Sequence, residues 1–135
     1  MTFIRDPGAG APLRVALVGM GKMGRQLAAL APERGCDVVA TLDADDPAPS
    51  RASLAGAEVA IEFTQPNAAV GNVRALVAAG CPVVVGTTGW YEQLPALQRE
   101  VETAGGAMLW AANFSLGVNL MLELAREAGR LLAGT

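Results

Sequence analysis

Leu13-Arg14-Val15-Ala16-Leu17-Val18-Gly19-Met20-Gly21-Lys22-Met23-Gly24 is the stretch on which the architecture turns. The apolar run ends at a glycine and reads as a buried strand. Gly19, Gly21 and Gly24 then form a G-x-G-x-x-G. Helix formers over residues 23–31 follow, and Pro32 and Gly35 stop them. Strand, glycine loop and helix in that order are the context that such a loop needs before it means anything. The first glycine permits the tight turn, the second lets backbone approach a pyrophosphate, and the third lets helix and strand pack closely. The helix N-terminus adds free N–H groups and partial positive charge. Read as structure alone, the same residues are only a tight turn.

Outward from this unit the pattern repeats. Apolar strands are expected at residues 37–42, 59–63, 82–85 and 107–111. Helices are expected at residues 66–79, 91–103 and 117–133. Pro66 suits a first helical position, and Gly80 suits a C-terminal cap. Apolar strands alternating with helices imply a doubly wound α/β domain, Rossmann-like, with a parallel sheet covered on both faces. The expected strand order is 3-2-1-4-5. Residues 1–12 are polar and rich in glycine and proline, and read as a flexible N-terminal segment. Residues 13–116 read as the dinucleotide-binding domain.

Composition agrees and excludes much else. A chain of 135 residues, 52% hydrophobic, is one domain with a real core. No apolar run approaches the ~20 residues of a membrane span, and no signal peptide is visible at the start. The net charge of −3 argues against a nucleic-acid partner. There is no histidine, which removes histidine-containing zinc sites and every Ser-His or Cys-His nucleophile. No metal site and no catalytic residue is assigned. Cys36 and Cys81 form no CxxC and are expected as small buried residues in a reducing cytoplasm.

Asp43 stands at the end of the second strand, about twenty residues beyond the glycine loop, where a carboxylate accepts from the adenosine ribose hydroxyls. Asp45 and Asp46 are close enough that a solvated loop aspartate is the plain alternative. Residues 117–133 are unusual. Glu123, Arg126, Glu127 and Arg130 occupy a narrow arc at about 100° per residue. Val118, Leu120, Met121, Leu122, Leu124, Ala125, Leu131 and Leu132 fill most of the rest. This helix is expected to need cover over most of its circumference.

Three strand ends carry a resemblance. Ile61-Glu62-Phe63-Thr64-Gln65-Pro66, Val85-Gly86-Thr87-Thr88-Gly89-Trp90 and Ala111-Ala112-Asn113-Phe114-Ser115-Leu116-Gly117-Val118-Asn119 resemble dihydrodipicolinate reductase, also called 4-hydroxy-tetrahydrodipicolinate reductase, of lysine and diaminopimelate synthesis. The resemblance implies an NAD(P)H-dependent oxidoreductase that reduces a cyclic unsaturated imine dicarboxylate, as a homotetramer, with NADH or NADPH as cofactor. By position it places cofactor contacts on Gly19, Met20, Gly21, Lys22, Met23 and Gly24, on Asp43, on Phe63 and Thr64, on Gly86, Thr87 and Thr88, and on Ala111, Ala112, Asn113 and Phe114. The Gly-Thr-Thr-Gly turn suits a nicotinamide-ribose contact through glycine and a threonine hydroxyl. Its alternative is an ordinary turn with Thr88 as a cap. Asn113 and Ser115 resemble the family's hinge, and read alternatively as helix capping.

The family's substrate-binding and proton-donating residues lie later, in a segment with paired histidines, a lysine and a Ser-Gly-Thr loop. This chain has no histidine, and its single lysine, Lys22, is in the glycine loop. The expectation is therefore the cofactor half of a reductase, inactive alone, with residues 117–135 leading toward an absent substrate domain. A small-molecule substrate is expected only with that domain. A stand-alone nucleotide-sensing regulatory domain is the rival. It would use the glycine loop and Asp43, but has no use for the last two motifs.

Overall fold

The computed structural model describes residues 10–134; most of the segment expected to be flexible, residues 1–9, lies outside them. Its elements are β1 Leu13–Val18, α1 Lys22–Leu30, β2 Cys36–Leu42, β3 Val59–Glu62, α2 Pro66–Ala78, β4 Val83–Val85, α3 Leu94–Thr103, β5 Met108–Trp110 and α4 Leu116–Ala133. Every strand pairing is parallel. The result is a Rossmann-like α/β sheet, as the alternation of apolar strands and helices requires.

The strand order is β2-β1-β3-β4-β5, not the expected 3-2-1-4-5. β3 does not extend the sheet beyond β2. The chain from residue 43 to residue 58 returns across the sheet, and β3 pairs with β1 from Val15–Val59 to Val18–Glu62. Ala60 and Glu62 are fully buried, as a central strand requires. Hydrophobic periodicity marks a strand as buried without naming its neighbours, and for that reason the order escaped it. In this order the winding reverses between β1 and β3. That reversal opens a crevice at their C-terminal ends.

One face of the sheet holds the core. Ala16, Val18, Ala60, Val83 and Val85 pack there with Ala69, Val70, Val73 and Leu76 of α2 and Leu97 and Val101 of α3. Burying these side chains is the main favourable term in the fold. The opposite face was expected to be covered as well. It is closed at Val15 and Leu17, but Ile61 and Val84 are half-buried and Leu109 is 60% exposed. α1 packs against β1 and leaves β3 to β5 open on that side.

Helix ends follow local chemistry. α2 closes with Gly80 at φ 75°, its N–H bonded to the Val77 carbonyl and that of Cys81 to Leu76. Gly105 and Gly106 close α3 in the same way, onto Glu102 and Val101. These are Schellman closures, which satisfy orphan carbonyls. The helix expected over 91–103 divides. Residues 91–93 form a 3₁₀ turn, and α3 begins at Leu94 with Pro95 in its first turn. Proline lacks the N–H that a continuous helix would use there. Arg74 of α2 and Glu100 of α3 form a two-pronged ion pair, Nε–Oε2 2.6 Å and Nη2–Oε1 2.8 Å. The Arg74 hydrogen bond holds the Glu100 carboxyl below its usual range.

The cysteines divide too. Cys81 is buried, but Cys36, which opens β2, is only half-buried. α4 contains no buried residue: Leu116, Met121, Leu124 and Leu132 are all at least 66% exposed. Arg126 pairs with Glu123 and Arg130 with Glu127, one turn apart. Among the described residues no helix is long and apolar enough to cross a membrane.

Candidate functional site

The crevice between the ends of β1 and β3 forms a cleft of about 770 Å³. Gly19, Met20, Gly21, Lys22 and Met23 line one side, Asp43 and Asp46 one end, and Phe63, Thr64 and Asn72 the other side. A volume of that order suits a small-molecule or cofactor site. Eight of the residues singled out from the sequence thus share one cleft.

The three glycines of the loop have different surroundings. Gly19 has φ 100°, and its N–H bonds the Leu42 carbonyl at 2.7 Å. A Cβ there would lie 1.8 Å from the Phe63 carbonyl oxygen, so the ends of β1 and β3 meet through this residue. Gly24 is buried in α1, and a Cβ on it would lie 2.0 Å from the Gly19 carbonyl oxygen. Gly21 caps α1 with no side chain over the helix end, and a Cβ on it would meet nothing within 4 Å. Two glycines therefore permit packing within the protein. The third leaves open space beside the free N–H groups of a helix, which is what an approaching pyrophosphate requires.

Asp43 is exposed at the end of β2. Its Oδ1 accepts from the Met20 N–H at 3.4 Å and from the Ala44 N–H at 2.9 Å. The carboxylate is thereby tied to the glycine loop. Asp46 accepts the Asp43 N–H at 2.7 Å and also lines the cleft. Sequence reasoning had treated Asp46 only as a loop neighbour. Its carboxylate reaches back across the turn that the Asp46 N–H closes onto the Asp43 carbonyl, a local side-chain-to-backbone bond that the Asp-Ala-Asp-Asp run could have suggested.

On the other side, Phe63 lies over Gly86, where a Cβ would come within 2.0 Å of the ring. Thr87 is buried, and its hydroxyl is fully engaged. It accepts the Thr64 N–H at 2.7 Å and donates to Glu62 at 2.7 Å. Of the two threonines of the turn, Thr87 thus turns its hydroxyl into the protein, and Thr88 is the exposed one. The Thr87 carbonyl accepts from Trp90 Nε1 at 2.6 Å, which anchors the turn to the core. The alternative role of Thr88 as a cap is not seen: the 3₁₀ turn has Trp90 at its N-cap position and no side-chain cap.

Glu62 is the residue that sequence reasoning passed over. It is fully buried at the end of β3. Thr64 Oγ1 and Thr87 Oγ1 donate to it, and Asn72 Nδ2 reaches it at 3.4 Å. A carboxylate in an otherwise apolar strand was the available signal, because such a group is rarely buried without partners.

Ala111 is half-buried and bonds back to the Val85 carbonyl; Ala112, Asn113 and Phe114 are exposed beyond it and do not line the cleft. Asn113 Oδ1 accepts the Ser115 N–H at 2.7 Å, and Ser115 Oγ accepts the Val118 N–H, so both residues cap α4. Among the described residues no cluster of acidic or sulfur side chains could hold a metal.

Comparison with known proteins meets the same residues. The family model for the N-terminus of dihydrodipicolinate reductase matches residues 13–114. The 4-hydroxy-tetrahydrodipicolinate reductase of Beutenbergia cavernae is 42% identical over 128 residues, covering 90% of this chain and 50% of the relative. That of Christiangramia forsetii is 33% identical over 122 residues, covering 90% and 51%. The chain spans about half the length of the curated relatives it matches. Dipicolinate-bound dihydrodipicolinate reductase from Paenisporosarcina sp. TG-14 superposes with a TM-score of 0.72 at 26% identity, over 87% of this chain and 53% of that one. A stand-alone sensing domain is not favoured by this pattern. With its three strand-end motifs at the C-terminal ends of β3, β4 and β5 and the matched region running from β1 past β5, the chain belongs to the dihydrodipicolinate reductase family, within the N-terminal part that the family model describes.

Proposed function

We propose that this chain binds NADH or NADPH for a 4-hydroxy-tetrahydrodipicolinate reductase. One observation carries the reading: Gly21 stands open at the N-terminus of α1, in the same cleft as Asp43. In this reading Gly19 to Gly24 and Asp43 hold the adenosine diphosphate half. Phe63, Thr64, Gly86, Thr87, Thr88 and Ala111 to Phe114 flank the nicotinamide half, over the ends of β3, β4 and β5. The bound nicotinamide supplies a hydride. The chain supplies binding and orientation, and the substrate site belongs to a further part of the enzyme, assembled as a homotetramer.

The adenosine end favours NADH. Asp43 and Asp46 both face it, and the position after Asp43 is Ala44. A 2′-phosphate would meet two carboxylates, with Lys22 as the cation of the cleft lining. Fluorescence titration of the 135-residue chain with NADH should show saturable binding. Addition of the reductase substrate should produce no steady-state oxidation, because the side chains at hand include no histidine. Robust turnover by this chain, free of other reductase, would overturn the division of labour. Absence of any nucleotide binding would overturn the reading itself.

A further inference from the structure

The backbone ladder between β3 and β4 is short. It pairs Ala60 with Val83 through Glu62 with Val85, and the Gly86 N–H closes it onto the Glu62 carbonyl at 2.9 Å. Beyond that point side chains join the two strand ends. The Thr64 N–H goes to Thr87 Oγ1 at 2.7 Å, where a ladder would offer a carbonyl. Thr87 Oγ1 passes its own proton to Glu62 Oε2 at 2.7 Å, and Thr64 Oγ1 donates to Glu62 Oε1. The result is a closed ring in which each carboxylate oxygen holds one threonine. A carboxylate can do this because both its oxygens accept. Glu62 is fully buried, so the ring is internal to the protein. Residues 62–64 also carry the contacts to either side. The Phe63 carbonyl packs on Gly19, the Phe63 ring covers Gly86, and Trp90 Nε1 bonds the Thr87 carbonyl at 2.6 Å. The placement of the 86–88 turn relative to the glycine loop therefore runs through this ring.

We propose that Glu62 is a positioning residue for the nicotinamide half of the cofactor. By holding Thr64 and Thr87 it fixes the 86–88 turn against Phe63, at a set distance from the glycine loop. It acts through the two threonines and touches no ligand itself. The adenosine diphosphate half lies against residues 19–24 and Asp43, whose hydrogen bonds to Met20 and Ala44 stand outside the ring. Loosening the ring should therefore be felt by one half of the dinucleotide and not by the other. Held geometry matters there because hydride transfer depends on the orientation of the nicotinamide. This rests on the cofactor reading above and names the residue that fixes one half of the cofactor relative to the other.

ADP and NADH separate the halves in the 135-residue chain, each titrated by calorimetry. In Glu62→Gln the side chain keeps its shape but has a single acceptor oxygen, so one threonine loses its partner and the ring opens. The expected result is about tenfold weaker NADH, with ADP unchanged. At saturating NADH the emission of the bound nicotinamide should shift toward that of the free form, a readout into which affinity does not enter. Thr87→Val, the same shape without the hydroxyl, should reproduce both changes. Thr87→Ser should restore both, a rescue that a packing role for the methyl group would not show. If Glu62→Gln does not fold by circular dichroism, the Thr87 pair decides alone. Equal loss of ADP and NADH, no loss of either, a wild-type chain that binds NADH no better than ADP, or Thr87→Val equal to Thr87→Ser overturns the proposal. Failure of the wild-type chain to bind ADP or NADH at all would instead overturn the cofactor reading.

Discussion

Replacing Gly21 and Gly24 by alanine should separate binding from folding within one loop. At Gly24 the new Cβ would lie 2.0 Å from a backbone oxygen and 2.9 Å from its carbon, where ordinary contact begins at 3.4 Å. Overpacking costs about 1–3 kcal/mol, and an obstacle made of backbone places this site near the upper end. Alanine in a helix interior returns about 1 kcal/mol. The net cost is about 2 kcal/mol, or a melting midpoint lower by about 8 °C for a domain of this size. At Gly21 the Cβ meets nothing, and φ is −74°, outside the left-handed region that favours glycine. The remaining penalty is loss of a favourable N-cap residue, at most about 1 kcal/mol, or about 4 °C. The added methyl would still occupy the space through which backbone approaches a pyrophosphate. NADH affinity of Gly21→Ala should fall at least tenfold, equivalent to about 1.4 kcal/mol. Thermal melts followed by circular dichroism and NADH fluorescence titrations measure the two effects. Wild-type affinity in Gly21→Ala, or a wild-type melting midpoint in Gly24→Ala, would refute the assignment of the glycines to these tasks.

Three further outcomes are expected. NADH should bind at least as well as NADPH, and Lys22→Ala should weaken NADPH about tenfold while leaving NADH unchanged; a strong NADPH preference that survives Lys22→Ala would place the adenosine-ribose pocket elsewhere. Burial pushes the Cys81 thiol up, and Cys36 is half-buried, so an aromatic disulfide reagent should modify Cys36 in the folded chain and Cys81 only in denaturant; equal rates would contradict the packing around Cys81. The exposed apolar surface of α4 should make the isolated chain self-associate, with Leu120→Glu and Leu124→Glu reducing the mass seen by light scattering; a wild-type monomer at high concentration would count against it.

Much of this protein was legible in the residues because the physics behind it is local. The Leu13–Val18 run, the glycine loop after it and the helix formers beyond need only chain-neighbour rules to be read. Gly80 and Pro66 announced the ends of α2 for the same reason: a positive φ and a fixed φ are properties of single residues. Cleft residues from Gly19 to Met23 followed from spacing, and so did Asp43.

Tertiary structure decided what depends on which surfaces meet. Whether β3 lies beside β1 or beyond β2 depends on the path of residues 43–58, and no periodicity encodes a neighbour. The different tasks of Gly19, Gly21 and Gly24 come from the Phe63 carbonyl, the Gly19 carbonyl and open solvent, none of which can be seen in a G-x-G-x-x-G. The sequence did not say which threonine of the Gly-Thr-Thr-Gly turn is engaged; Thr87 is, because Glu62 stands across from it on a neighbouring strand. Glu62 itself looked like one polar residue in an apolar run. Only the folding together of β3, the turn after β4 and α2 brings Thr64, Thr87 and Asn72 around it. A buried carboxylate is tolerable only when such donors converge on it, and convergence from three elements is a property of the fold rather than of any one segment.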